Sequence, residues 1–131
     1  MKLDRIFKLV GDRTKLRILM LLDKGELCVC QVMAVLDVSQ SLISKNMAKL
    51  RDGGFLDERR EGKLVFYKIK DDLSPGISSV MDVMRTNLRD DADIVKDLAI
   101  LDESRRFKEK EGRCDMETFK KFLEFKKRSA A

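Results

Sequence analysis

The sequence contains no histidine and no tryptophan, a single proline and a single tyrosine, and only three cysteines among its 131 residues. Without histidine there is no histidine triad, no imidazole general base and no imidazole metal ligand. An odd number of cysteines excludes a complete internal disulfide framework, and in a reducing compartment clustered cysteines serve more often as ligands or redox sensors than as bridges. No apolar run approaches the roughly 18 residues that a membrane-spanning helix needs. The start, Met1-Lys2-Leu3-Asp4-Arg5, has no apolar signal core. A cytoplasmic protein with no membrane partner is expected. There is no glycine-rich phosphate loop and no nucleophile beside a base, so neither an enzyme nor an organic cofactor is expected.

Charge is what the chain has in quantity. Asp, Glu, Lys and Arg make up 39% of the residues, the net charge is +5 and the isoelectric point is near 9.2. A mildly basic balance of this kind is compatible with a nucleic-acid partner, and pairing of two chains would double it. Hydrophobic residues, at 44%, suffice for one modest core.

Helical periodicity dominates, and the punctuation divides it. Leu3, Ile6, Phe7 and Val10 share a helical face that Gly11 ends. Asp12 is placed to cap a second helix whose Leu16, Leu19, Met20 and Leu22 form a broad apolar face, closed by Lys24-Gly25. A third helix is predicted from Cys28 or Val29, with Val29, Val32, Met33 and Leu36 as one buried stripe. After a turn at Asp37-Val38, Ser39 suits the N-cap of a fourth helix that buries Ile43, Met47 and Leu50 and stops at Gly53-Gly54. The period then changes to two. Residues 55–60 and 64–69 read as strands joined through Glu61-Gly62-Lys63, which supplies the glycine a hairpin turn favours. Asp71 to Gly76 is a loop. A long helix follows with Ile77, Val80, Met81, Met84 and Leu88 in register, and a further helical stretch passes through Ile94, Leu98 and Leu101. Residues 102–113 are almost all charged and read as an exposed helix end or linker. A last amphipathic stretch sets Met116, Phe119, Phe122 and Leu123 against Lys120, Lys121 and Lys126. The predicted organisation is one domain at 1–90 and a helical extension at 91–131 that carries Cys114.

Two short helices, a tight turn and a hairpin, in that order, make a winged helix-turn-helix: a mainly α fold with a small β-hairpin wing. The fourth helix leaves Gln40, Ser41, Ser44, Lys45 and Lys49 outside. Such side chains at a helix N-terminus reach base edges and phosphates, where the helix dipole also favours the phosphate. Arg59, Arg60 and Lys63 surround the hairpin tip, placed to follow a groove or backbone. Double-stranded operator DNA is the expected partner. The alternative is a capped surface helix beside an edge hairpin with no DNA role.

Several segments resemble the ArsR/SmtB repressors: Thr14-Lys15-Leu16-Arg17-Ile18-Leu19, Gly25-Glu26-Leu27-Cys28-Val29-Cys30, Ser39-Gln40-Ser41, Leu50-Arg51-Asp52-Gly53-Gly54, and Arg59-Arg60-Glu61-Gly62-Lys63 followed by Val65-Phe66-Tyr67. The similarity spans about residues 3–88. Arg13 stands where the family often has proline, and Asn46 where many members have histidine. The resemblance implies a homodimer built from the first helix and the 77–88 helix. Leu3, Ile6, Phe7, Ile77, Val80, Met81, Met84 and Leu88 are then the candidate interface, and two-fold proteins suit two-fold operators. The alternative is that this stripe packs within one chain.

Cys28 and Cys30 are the candidate ion ligands. In an extended segment, residues i and i+2 point the same way, about 6.6 Å apart; in a regular helix they diverge by about 200°. Chelation is therefore expected to want a loosened start to the third helix, and a direct Cys28–Cys30 disulfide is expected to fit poorly. A helix N-terminus favours the thiolate that binds metal. The resemblance implies that arsenical-sensing members carry this motif here, many with a third cysteine where this chain has Met33. Cys114 is the remaining candidate third ligand for As(III) or Sb(III), the expected inducers, although a bystander thiol is equally open. Cadmium and lead sensors of the family also use Cys-x-Cys but add N-terminal cysteines, which are absent here. Zinc and cobalt sensors use histidine with carboxylates, so Asp82 and Asp90 are expected to be solvated. The reading is a metalloid-responsive repressor that leaves its operator when the ion binds. A thiol redox switch and a Cd/Pb-responsive repressor on the same fold are the alternatives.

Overall fold

A computed structural model describes residues 3–111 and 124. Its order is α1 (Leu3–Val10), α2 (Arg13–Leu22), β1 (Leu27–Cys28), α3 (Val29–Leu36), α4 (Gln40–Asp52), β2 (Leu56–Glu61), β3 (Leu64–Ile69), α5 (Pro75–Leu88) and α6 (Ala92–Glu111). The fold is mainly α with a small wing, as expected.

The core forms around α2. Asp12 caps its first turn by accepting the Lys15 N–H. Ile18, Leu19, Met20, Leu21 and Leu22 are then all buried, so this run leaves no apolar residue for solvent. A helix apolar on all sides must be surrounded, and α1, α3, α4, α5, α6 and β3 all pack against it.

The helix-turn-helix is α3 and α4. Asp37 closes α3 in the left-handed region, at φ 55°, a conformation Asp tolerates better than most side chains. Ser39 opens α4 by accepting the Leu42 N–H. Ile43, Met47 and Leu50 are fully buried beneath it. In the hairpin, Glu61 pairs with Leu64, leaving Gly62 and Lys63 as a two-residue turn. Gly62, at φ +60°, takes the first central position of a type II′ turn.

The wing differs from expectation in having a third strand. Leu27 and Cys28 pair antiparallel with Tyr67 and Phe66, giving the sheet order β1-β3-β2. Two residues are too few to show a period of two, so this strand leaves no sequence pattern. Of the helix end or linker expected over the charged segment, the helix end is found, since α6 continues through it to Glu111. Residues 112–123 and 125–131, with Cys114 and most of the amphipathic 116–128 stretch, lie outside the described residues.

Ion pairs lay α6 along α2. Arg13 donates to Asp91 and, at 2.9 Å, to Asp93; Arg17 makes two bonds of 2.8 Å to Asp97; and Arg105 donates to the Lys24 carbonyl at 3.0 Å. The partners advance together along both segments, so the helices run parallel. Ile94 and Leu101 join the core that α2 and α3 share. Asp91 also accepts the Asp93 and Ile94 N–H groups, and the Arg13 guanidinium holds its carboxyl below the usual range. Arg13 thus ties the two helices at their starts.

Asp97 is only 2% exposed. Arg17→Ala would strand that carboxylate, and a loss of about 3 kcal/mol in urea unfolding is expected. A change within measurement error would mean that Asp97 finds other solvation.

Candidate DNA-reading face and cysteine site

The outer side of α4 carries the residues expected there. Gln40, Ser41, Lys45 and Lys49 are at least partly exposed and Ser44 is half-buried. Asn46 is only 5% exposed and turns inward, so it is not on the reading surface. Lys63 stands exposed at the wing tip.

Arg59 and Arg60 are exposed but already engaged. Arg59 donates to Glu26 at 2.7 Å and to Glu61 at 2.8 Å, and Arg60 donates to Glu58 at 3.1 Å. Glu58 also accepts from Arg51, joining the end of α4 to the wing. Any approach of these arginines to phosphate must compete with carboxylates of the same chain. Sequence reasoning missed Glu26 because it reaches Arg59 only across the assembled sheet, whereas Glu58 and Glu61 are i, i+2 neighbours of the wing arginines on β2.

Cys28 and Cys30 come together at the start of α3. The structure joins them in a disulfide with Cα atoms 5.4 Å apart, inside the span that disulfides bridge. This corrects the expectation that the i, i+2 pair fits a disulfide poorly. The reason is that the residues belong to different elements. Cys28 is the extended N-cap, at φ −81° and ψ 159°, whereas Cys30 lies in the first helical turn. Gln31 fixes this junction: its Oε1 accepts the Cys28 N–H at 3.0 Å, and the Cys28 sulfur faces the Gln31 N–H in a capping box. When reduced, the Cys28 sulfur therefore lies at the positive end of α3, which stabilises a thiolate.

Both cysteines are buried, at 1% and 7% exposure. They border a cavity of about 100 Å³ whose walls include Met33, Gln40, Ser44 and Lys63. Met33, expected within the buried stripe of α3, is half-buried and faces this cavity. The cysteine pair is thus continuous with the outer side of α4 and the wing tip, which linear spacing could not reveal. Asp82 is ion-paired to Arg85 and Asp90 is exposed.

The candidate dimer stripe divides. Ile6, Ile77 and Met81 are 2%, 1% and 0% exposed and belong to the chain's own core. Val80 and Met84, 6% and 5% exposed, also belong to that core but border, with Leu3, Phe7 and Val83, an open apolar groove of about 580 Å³ between α1 and α5. Leu88 is half-buried. Val83 was missed because it lies outside the regular stripe, yet at 60% exposure it is among the most exposed large apolar residues described.

A family profile described as bacterial regulatory protein, arsR family, matches residues 12–58. The arsenical resistance operon repressor of Escherichia coli strain K12 is 39% identical over 79 residues, covering 60% of this chain and 68% of that protein. The chain belongs to the arsR family. The arsenic resistance transcriptional regulator ArsR2 of Pseudomonas putida is similar at 38% identity over 79 residues, 60% of this chain and 69% of that one. Among solved structures, the antimony-specific transcriptional repressor AntR matches with a TM-score of 0.54 and 27% identity, covering 63% of this chain and 70% of its own. The arsR-family chain is a regulatory protein with a winged helix-turn-helix. No helix among its described residues is long and apolar enough to cross a membrane.

The Glu58 carboxyl is held below its usual range, chiefly by the hydrogen bond from Arg51. Because the folded-state value is depressed, its stabilising effect is present above the unfolded value of about 4.3 and is lost as pH falls toward the folded value. Thermal unfolding between neutral pH and pH 3 should therefore show a shallower acid decline in Glu58→Gln than in the wild type. Equal slopes would remove Glu58 from the acid response.

Proposed function

We propose that this protein is a metalloid-responsive repressor, bound to operator DNA when its cysteines are free and released when trivalent arsenic or antimony takes them. The observation that carries this reading is the convergence of Cys28 and Cys30 on a cavity that Gln40, Ser44 and Lys63 also border. An occupant of the thiols meets the DNA-reading side chains at once. The E. coli relative's description as an arsenical resistance operon repressor and AntR's description as antimony-specific support the choice of ion.

The chemistry needs the reduced pair. Arsenous acid and two thiols condense to a dithiolate with loss of two waters, and a third thiol can displace a third hydroxyl as another water. Cys114 is the candidate for that third thiol. Ion and operator oppose each other only insofar as the ion binds the free protein more tightly than the DNA-bound one.

The DNA-bound form is a homodimer that closes the groove between α1 and α5. The groove is apolar, and Leu3, Phe7 and Val83 stand 53%, 57% and 60% exposed around it. Two copies would present two α4 helices to one two-fold site.

A second reading keeps the fold and changes the signal. The disulfide between Cys28 and Cys30 favours a redox switch, in which two thiols and one hydrogen peroxide give the disulfide and two waters.

Fluorescence anisotropy on promoter DNA separates these readings. Arsenite should release the reduced wild type at about one ion per subunit and leave Cys28→Ser bound, and Cys114→Ser should need more ion. Protein oxidised to the disulfide should ignore arsenite until a phosphine reductant is added. If reduced protein stays bound at excess arsenite but dissociates on oxidation, the redox reading replaces the ion reading. In sedimentation, Phe7→Glu should shift the dimer to monomer and weaken operator binding at least tenfold; an unchanged dimer would place the interface elsewhere.

A further inference from the structure

The wing sheet carries one row of side chains that links the cysteine site to a wing arginine. Phe66, on the central strand β3, pairs with Cys28 on one side and with Arg59 on the other. Directly opposed residues in antiparallel strands project from the same face of a sheet, so Cys28, Phe66 and Arg59 stand side by side. The contacts follow the register. Phe66 is 9% exposed and packs with Cys28, Cys30 and Leu64 in a small cluster separate from the main core. The Arg59 guanidinium lies over its ring, 4.4 Å from the centroid. Glu26 and Glu61 hold the same guanidinium through its nitrogens.

From this row we infer that Phe66 is a positioning residue, which converts occupancy of the cysteine pair into a change in the pose of Arg59. The inference rests on the ion-responsive reading above and supplies its route to the wing. The Phe66 ring is packed against both cysteines, so turning their sulfurs toward a shared ion changes the surface on which the ring rests. Attraction between a guanidinium and an aromatic ring depends on the charge lying over the face. A shifted ring therefore removes one of the contacts that hold Arg59 and leaves its pose to the bonds with Glu26 and Glu61 alone. The reach of Arg59 toward phosphate then differs between the ion-bound and the ion-free protein. In this scheme the third strand of the wing has a purpose: it sets Cys28 directly opposite the ring.

The test is the ratio of arsenite affinities for the free and the DNA-bound full-length protein. Ion binding is followed by the ultraviolet absorbance of the sulfur–arsenic bond, and DNA binding by anisotropy. Phe66→Leu, which keeps an apolar side chain and removes the ring, should still bind arsenite but lose about tenfold of the wild-type ratio. Phe66→Tyr, which keeps the ring, should retain the wild-type ratio. Arg59→Lys keeps the charge but loses the planar stack and the fork to Glu26, and should lower the ratio as Phe66→Leu does, which guards against a leucine variant that folds poorly. A wild-type ratio in both Phe66→Leu and Arg59→Lys would overturn the inference while leaving the repressor reading intact. A wild type whose DNA affinity ignores arsenite would overturn that reading itself, and with it the relay.

Discussion

The run Ile18-Leu19-Met20-Leu21-Leu22 offers water no face, and the rest of the fold is arranged to satisfy that condition. Five consecutive apolar side chains cannot lie on one side of a helix, because successive residues turn by about 100°. The helix that carries them must be enclosed, and α1, α3, α4, α5, α6 and the central strand of the wing enclose it. Each buried side chain of this size contributes about 2 kcal/mol, so opening any one side of α2 is costly. Helix α4 and the wing are therefore both held against one buried element.

On this scaffold, charge works by proximity more than by total. The net charge of +5 describes the whole chain, yet Arg59 and Arg60 face carboxylates within hydrogen-bond reach, while Lys45 and Lys63 stand exposed. Exposed ion pairs add little stability. Their consequence here lies in competition, since Glu26, Glu58 and Glu61 offer the wing arginines an alternative to phosphate. Along α6 the same residue types hold the fold together, because Asp97 is buried and Arg17 meets it with two bonds.

Cys28 belongs to three structures at once. It ends a short strand of the wing, caps α3 and closes on Cys30. Its sulfur therefore sits where the first helix of the helix-turn-helix meets the root of the wing.

Local features are written in the order of residues. Asp12, Ser39 and Gly62 are capping and turn residues whose chemistry acts within three or four positions, so their roles are legible from the chain alone. The apolar period marks α4 and its buried Ile43, Met47 and Leu50, and with them the outward set from Gln40 to Lys49. The Cys-Val-Cys spacing marks the candidate site. Whatever depends on residues far apart in the chain is settled by the assembled molecule instead. The two-residue strand β1 exists only because β3 offers it an edge. The length of α6 is laid against Arg13, Arg17 and Lys24, some 80 positions away. Ile6, Ile77 and Met81 are taken up by the chain's own core, whereas Leu3 and Phe7 of the same candidate set stay exposed. The cysteine pair likewise gains its geometry from two elements meeting at Val29, and its connection to Arg59 from the pairing of three strands. Periodicity reports which face of an element is apolar, but what that face meets is decided by elements brought together from distant parts of the chain.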